Sequence, residues 1–137
     1  MFNLDQIKKL ADKYGINAFY LFGSFADGSF NEDSDIDLAY LSDVKGITID
    51  NGLLYFDIRE FITREIDLVD IRRASLSFAF HIIKEGKVIY ERDKEKRTDF
   101  EDELIRNYLD FNVYNRVMDE EITGNFGLGR TLDVDSH

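Results

Sequence analysis

The spacing of apolar residues along this chain predicts where its helices lie. Residues 4–14 carry apolar side chains three to four positions apart, which is the period of one helix face. The same period predicts helices over residues 54–62 and 76–84, and a last helix that starts after Asp93 and is not broken before about Met118. The chain contains no proline, so no residue of that type breaks the last helix.

Continuous apolar runs predict the strands. Residues 17–22 form such a run, which is typical of a central strand buried on both faces. Residues 35–41 and 66–71 form two more runs that contain aspartates, and residues 87–91 form a short fourth run. Strands that alternate with helices predict an α/β fold: a small mixed sheet, helices packed on it, and a long C-terminal helix.

The aspartates in the second and third strands predict a metal site. Asp35 and Asp37 are two residues apart, so their side chains share one strand face. Asp67 and Asp70 are three residues apart and lie on opposite faces, so only one of them can join that pair. Hard cations such as Mg²⁺ take a few carboxylate oxygens from the protein and fill their other positions with water and substrate phosphates.

A phosphate-binding turn precedes these carboxylates. Gly23 and Ser24 end the first apolar run. Glycine lets backbone amides approach an anion closely, serine adds a hydroxyl donor, and a helix that begins just after them would direct its first N–H groups at a phosphate. The sequence therefore places a phosphate side and a metal side close together in the chain.

A calcium-binding loop is the alternative metal site. Asp33, Asp35 and Asp37 mimic its first three ligands. The sixth position of such a loop requires glycine and here holds Leu38, and the twelfth requires glutamate and here holds Val44. The calcium interpretation fails at both positions.

Composition narrows the functional classes. The chain has 137 residues, which suit one domain and leave no room for a separate substrate domain. Its net charge of −11 argues against direct nucleic-acid binding, which requires clustered Lys and Arg. No apolar run approaches the length of a membrane span, and the start lacks a signal-peptide core, so we expect a cytoplasmic protein that does not enter a membrane.

Gly23-Ser24, ten intervening residues, Asp35-Ile36-Asp37 and a third acidic strand resemble the signature of the polymerase-beta-like nucleotidyltransferases. The resemblance covers about residues 18–92. It implies that fold, with Asp35, Asp37 and Asp67 as the catalytic residues and the ligands of two Mg²⁺ ions. It also implies that Gly23 and Ser24 bind the phosphates of ATP.

Among relatives, the chain is most similar to the minimal nucleotidyltransferases, or MNT proteins. That resemblance implies an antitoxin that transfers AMP from ATP to a tyrosine of a HEPN-type ribonuclease toxin. Two alternatives stay open: a small-molecule nucleotidyltransferase of the aminoglycoside type, and an antitoxin of the same fold that acts by binding alone.

One residue departs from the family pattern. Relatives often read G-S-x-A-R-G, and here Asp27 stands in place of the arginine. If that arginine holds phosphate, nucleotide affinity should be lower in this chain, or another cation must serve. The nearest candidates are Arg64, Arg72 and Arg73.

The remaining expectations concern His81 and the end of the chain. His81 lies among apolar residues, which predicts a packed, hydrogen-bonded histidine without a catalytic role. The last helix carries two adjacent apolar stripes, so part of residues 108–117 is predicted to contact another chain, either a copy or a partner. The alternative is that the sheet of this chain buries the helix on both sides. We expect residues 1–118 to form the nucleotidyltransferase domain and residues 119–137, with three glycines, to form a flexible tail.

Overall fold

Helices and strands alternate along residues 3–125, the part of the chain that the computed structural model describes, with side chains described up to residue 120. In chain order the elements are α1 (Leu4–Tyr14), β1 (Ile16–Phe22), α2 (Ser24–Asp27), β2 (Ile36–Ser42), α3 (Asn51–Ile58), β3 (Ile66–Asp70), α4 (Leu76–Glu85), β4 (Lys87–Glu91) and α5 (Lys94–Asn125). The predicted α/β fold with a long C-terminal helix is confirmed.

The four strands form one mixed sheet in the order β3-β2-β1-β4. β1 runs antiparallel to both β2 and β4, whereas β2 and β3 run parallel. The end of β1 and the starts of β2 and β3 therefore meet at one end of the sheet. β1 lies between two neighbours, as its continuous apolar run indicates.

The strand residues alternate between two apolar layers. Ile36 and Leu38 pack in a cluster with α1 and α3, whereas Ala39 and Leu41 pack in a second cluster with α4 and the start of α5. This alternation follows from the two-residue period of a strand. It fixes the direction of Asp37, which shares the α4 side with Ala39.

Local capping explains where two of the helices begin and where α1 ends. The Asn3 side chain accepts hydrogen bonds from the amides of Asp5 and Gln6 at the start of α1, and Gly15 ends that helix with a φ of 68°. Asp50 caps α3 in the same way by accepting from the amide of Leu53.

The predicted extent of α3 is wrong at both ends. The cap at Asp50 starts the helix before Leu54, and the helix ends at Ile58. Phe61 and Ile62 continue the apolar spacing of the helix, and this spacing predicts that the helix extends to residue 62. They instead lie in the turn that follows, where Ile62 is still buried in the α1–α3 cluster.

α5 runs unbroken past Met118 to Asn125, as the absence of a helix-breaking proline before that residue indicates. A single glycine within a helix costs only about 1 kcal/mol and does not terminate it. Residues 119–125 of the predicted tail are therefore helical, and residues 126–137 lie outside the described residues.

The start of α5 is tied to the sheet by a polar network. The Tyr20 hydroxyl on β1 donates to Glu101 at 2.7 Å, and Arg97 donates to the same carboxylate at 2.8 Å and to Glu91 on β4.

Beyond Leu104, the last core residue of α5, the helix has several large exposed apolar side chains: Ile105, Leu109, Phe111, Val113, Tyr114, Val117 and Met118. No helix in the described part of the chain is long and apolar enough to cross a bilayer.

Candidate active site

Three neighbouring strands bring Gly23, Asp37 and Asp67 together at one end of the sheet, here called the carboxylate end. Phe22, the last residue of β1, pairs with Asp37 in β2, and Asp37 pairs with Asp67 in β3. Gly23 follows Phe22 directly. Residues that are far apart in sequence are thus adjacent because of strand register.

Gly23 packs directly against the Asp37 carboxylate. Its backbone has φ 70° and ψ −149°, a region essentially restricted to glycine. A Cβ built on Gly23 would overlap Oδ2 of Asp37 and would lie 3.1 Å from its Cγ. Glycine is required here both by the backbone conformation and by the close approach of the carboxylate.

A short helical turn carries Ser24 at the same end of the sheet. Gly23 is the N-cap of α2, and Ser24 is its first residue. The amides of Ala26 and Asp27 donate to the Gly23 carbonyl oxygen. The amides of Ser24 and Phe25, together with the Ser24 hydroxyl, are therefore the donors that can meet an anion. The spacing of apolar residues does not predict a helix at this position, and α2 provides a single helical turn there.

Asp37 lies in a half-buried position among like charges. Burial is the main cause that raises the pKa of Asp37, and the negative charges of Asp67 and Asp35 raise it further. Asp67 is exposed, and so is Asp35, which directly precedes β2. Three carboxylates therefore share one electrostatic environment, and a cation placed among them would relieve their repulsion.

Asp70 is separated from this group, as the strand period predicts. It pairs with Tyr40, whose side chain belongs to the α1–α3 cluster on the other face. Burial first, and then the charge of Asp70, raise the pKa of Tyr40 to about 12.

The donor set at the carboxylate end suits magnesium without forming a finished cage. Among the described residues, no group of three or more His, Cys, Asp or Glu side chains is arranged to hold a metal ion. Mg²⁺, however, is usually held by one or two carboxylates together with substrate phosphates and water. The adjacent Asp37 and Asp67, with Asp35 close by, supply oxygen donors of the right kind for that mode of binding.

Arg64 lies nearest to this end of the three candidate cations. Its Nη1 donates to the carbonyl oxygens of Asn31, Glu32 and Ser34, and its guanidinium stands 5.2 Å from the centre of the Phe25 ring. These contacts place Arg64 against the loop before Asp35 and beside the ring that follows Ser24.

Arg72 and Arg73 lie at the opposite end of the sheet. Arg72 donates to the carbonyl and hydroxyl of Ser42 and stacks on Phe100. Both arginines line a cavity of about 410 Å³ between α5 and the loop after β2. Neither is placed to compensate for the missing family arginine.

Asp27 and His81 have local surroundings that the sequence does not reveal. The Asp27 carboxylate accepts a hydrogen bond from the amide of Ser29 at 2.8 Å, and the hydrogen bonds to Ser29 hold the pKa of Asp27 below its usual value.

His81 is exposed on α4, so the prediction of a packed histidine is wrong. It points outward because Ala79 and Ile82 take the buried positions of that helix.

The sequence does not predict the contacts of Arg64 with the loop before Asp35 or the packing of Gly23 on Asp37. The glycine had a sequence signal, because it ends a strand and immediately precedes a serine, but its contact with a residue fourteen positions later did not. Arg64 had no comparable signal, since arginine before an acidic strand is ordinary at a protein surface.

Comparison with known proteins gives consistent matches. Residues 5–95 match the family model for polymerase beta, nucleotidyltransferase. The chain is 33% identical over 88 residues to the protein adenylyltransferase MntA of Shewanella oneidensis, and the alignment covers 61% of each protein. This chain thus spans less than two thirds of that curated relative.

Solved structures show the same fold over a larger share of the chain. A crystal structure of the toxin-antitoxin with AMP-PNP contains a chain that matches with a TM-score of 0.69 and 25% identity, covering 89% of this chain and 99% of that one. A structure of the tri-AMPylated Shewanella oneidensis HEPN toxin in complex with MNT antitoxin matches with a TM-score of 0.63 and 23% identity, covering 87% and 94%. The second match supports the fold alone.

Proposed function

This chain belongs to the polymerase beta nucleotidyltransferase family, and from that premise we propose that it transfers AMP from ATP to a hydroxyl group of a partner protein. The proposed partner is a HEPN-type ribonuclease toxin, for which this chain acts as the antitoxin in the cytoplasm. The observation that carries the proposal is the meeting of Gly23, Asp37 and Asp67 at one end of the sheet. Two similarities support it. The 33% identical relative is named as a protein adenylyltransferase, and a matching solved structure is that of a toxin-antitoxin with AMP-PNP.

The proposed step is a single in-line displacement. The acceptor hydroxyl oxygen forms a bond to the α-phosphorus of ATP, while the bond from that phosphorus to the bridging oxygen breaks and pyrophosphate leaves with the electron pair. Asp67, exposed at the start of β3, accepts the hydroxyl proton. The amide and hydroxyl of Ser24 and the backbone of Gly23 hold the β and γ phosphates.

Asp35, Asp37 and Asp67 would hold two Mg²⁺ ions, which when bound neutralise the charge that builds up on the attacking and leaving oxygens. Little covalent chemistry is required of the protein in phosphoryl and nucleotidyl transfer. The contribution of this chain is to fix the carboxylates and the phosphate turn relative to each other. The strand register and the Gly23–Asp37 contact provide that fixed geometry.

The test is transfer to the purified partner, followed by intact mass. The native chain with ATP and Mg²⁺ should add AMP to the partner, whereas a variant with Asp35→Asn and Asp37→Asn should remain folded and add none. Asp33→Asn makes the same chemical change in the exposed loop before the site and serves as the matched control. Normal transfer by the double variant would refute the assignment of these carboxylates.

The acceptor class and the mode of action remain separable by experiment. A small-molecule acceptor would leave the partner's mass unchanged while pyrophosphate is still released in the presence of that molecule. Action by binding alone would produce neither product. The family departure at Asp27 keeps its weight in this choice, because the hydrogen bonds to Ser29 lower the pKa of Asp27 and so favour its negatively charged form.

A further inference from the structure

One guanidinium gathers three backbone carbonyls of the loop that leads into Asp35. Arg64 Nη1 donates to the carbonyl oxygens of Asn31 at 2.9 Å, Glu32 at 3.1 Å and Ser34 at 2.9 Å. Carbonyls that converge on one point form a cation site, and here the cation is part of the protein. Hydrogen bonds from a charged donor are stronger than neutral ones, so this clamp closes the loop more firmly than its internal bonds alone.

The loop itself is a compact turn built around Asn31. The amide of Asn31 donates to Ser34 Oγ at 2.9 Å, and the amide of Ser34 donates to the Asn31 carbonyl oxygen at 3.2 Å. Two residues later the amide of Ile36 donates to the carbonyl of Glu65 at 2.9 Å, which starts the pairing of β2 with β3. The position of Asp35 is therefore set by Arg64 on one side and by strand pairing on the other.

Arg64 also contacts the phosphate turn. Its guanidinium lies 5.2 Å from the centre of the Phe25 ring, and Phe25 follows Ser24 in α2. Phe25 stacks in turn on Phe30 at the start of the same loop, with ring centres 4.4 Å apart. Stacking of an arginine plane on an aromatic ring adds attraction and fixes the plane of the guanidinium.

Hydrogen bonds from Arg59 fix the backbone of the segment that carries Arg64. Arg59, at the end of α3, donates to the carbonyl oxygens of Thr63 at 2.9 Å and of Arg64 at 2.6 Å. Asp67 lies three residues further along the chain, in β3. One side chain thus connects the three segments that carry Ser24, Asp35 and Asp67.

We propose that Arg64 is a positioning residue that locks the phosphate turn, the loop before Asp35 and the start of β3 into one geometry. This inference rests on the proposed transfer function, because the geometry matters only if those three segments act together. It assigns Arg64 no contact with the nucleotide. A misplacement of about 1 Å in a reacting geometry can cost about 100-fold in rate, so loss of the clamp should act mainly on kcat.

Arg72 offers a matched control. It also donates to backbone and side-chain oxygens of a neighbouring strand, and its guanidinium also lies 5.2 Å from an aromatic ring centre, that of Phe100. It differs in position, because it lies at the end of the sheet away from the carboxylates. Arg64→Ala and Arg72→Ala therefore remove similar packing and the same charge from opposite ends of the sheet.

The experiment compares the two alanine variants and Arg64→Lys by melting temperature, transfer kinetics and exchange of backbone amides. Both alanine variants should melt at similarly reduced temperatures. Arg64→Ala alone should lose at least about 10-fold in kcat with little change in KM for ATP, and low concentrations of guanidinium ion should restore part of it. Arg64→Lys should be intermediate, because an ammonium lacks the planar fork.

Amide exchange tests the clamp without any reaction. In Arg64→Ala the amides of residues 31–36 should exchange faster, and in Arg72→Ala they should not. Unchanged exchange in Arg64→Ala refutes the clamp, whether or not the native chain transfers AMP. Faster exchange with wild-type kcat, or equal loss of kcat in Arg72→Ala, refutes the positioning role. Failure of transfer by the native chain would refute the proposed function, and with it the positioning role, while leaving the clamp to be judged by exchange.

Discussion

Gly23 and Asp37 are in direct contact across two strands. No side chain fits at position 23, because a Cβ there would overlap the Asp37 carboxylate at Oδ2. The turn that would bind phosphate and the carboxylate that would bind metal are therefore one packed unit. A change on either side of this contact should be felt on the other.

Gly23→Ala should reduce both stability and transfer. The added methyl group collides with Asp37, and the positive φ of 70° adds strain. Gly28→Ala is the matched control, since Gly28 also has a positive φ of 84° but faces open space. Chemical denaturation should show a clearly larger loss for position 23, and equal losses would contradict the contact.

The same contact predicts coupling between the two positions. In a background of Asp37→Ala, which removes the colliding carboxylate, Gly23→Ala should cost less stability than in the native chain. Activity should not return, because the carboxylate is gone. Additive losses of stability in the double variant would show that the collision is not what makes the glycine necessary.

Asp37→Asn should raise stability at neutral pH. Burial and the charges of Asp67 and Asp35 raise the pKa of Asp37 in the folded state, so ionising this carboxyl opposes folding. That cost is absent below the unfolded pKa, where both states are protonated, and is fully present above the folded pKa. The gain in melting temperature should therefore shrink as the pH falls through the carboxyl range.

Asp27→Asn provides a control of opposite sign. The pKa of Asp27 is lowered by its hydrogen bonds to Ser29, so its ionised form favours folding above the unfolded pKa, and this contribution is lost on acidification. This variant should not gain stability at neutral pH. A gain at position 27, or none at position 37, would contradict the electrostatic picture of the site.

Local patterns predict most of the helices and strands, and together with the family resemblance they single out Asp35, Asp37 and Asp67 as candidate site residues. Strand period alone separated Asp67 from Asp70, and a single register places Asp67 beside Asp37. What local patterns could not supply are contacts between distant residues: the three carbonyls around Arg64 lie 30 to 33 positions earlier in the chain. The α3 boundary was missed for a related reason, because burial of Ile62 imitates helical spacing after the helix has ended.

Asn17→Ala should lower stability without altering transfer by the folded protein. Asn17 is 1% exposed, donates to the carbonyl of Asp93 at 3.0 Å and accepts the Asp93 amide at 2.8 Å. Truncation leaves both backbone groups without this partner, at a cost of about 1–3 kcal/mol. Asn107→Ala, on the exposed side of α5, should cost little, and a lower kcat in folded Asn17→Ala would contradict a purely structural role.

The outer part of α5 should bind the partner. Leu109, Val113 and Val117 follow one another at four-residue intervals and are 53%, 58% and 53% exposed. Exposed apolar surfaces of this kind mark protein interfaces. Leu109→Glu combined with Val113→Glu should weaken the complex with the partner without lowering the melting temperature. Asp102→Ser on the same helix should change neither the affinity of the complex nor the melting temperature. Light scattering that shows a monomer both alone and with the partner would contradict this surface.

Turnover should distinguish catalysis from simple binding. If the chain modifies its partner, each molecule can inactivate many, because the product carries AMP covalently and pyrophosphate is released. A chain that acts by binding must be present in at least equal amount. We expect neutralisation of the partner's activity at a large molar deficit of this chain, provided that ATP and Mg²⁺ are present.

The control in this titration is the folded variant with Asp35→Asn and Asp37→Asn, in which the outer part of α5 is unchanged. It should neutralise the partner only near equal amounts, if at all, because binding remains and transfer does not. Strictly stoichiometric neutralisation by the native chain and the double variant alike would show that the antitoxin works by binding, with its carboxylates unused.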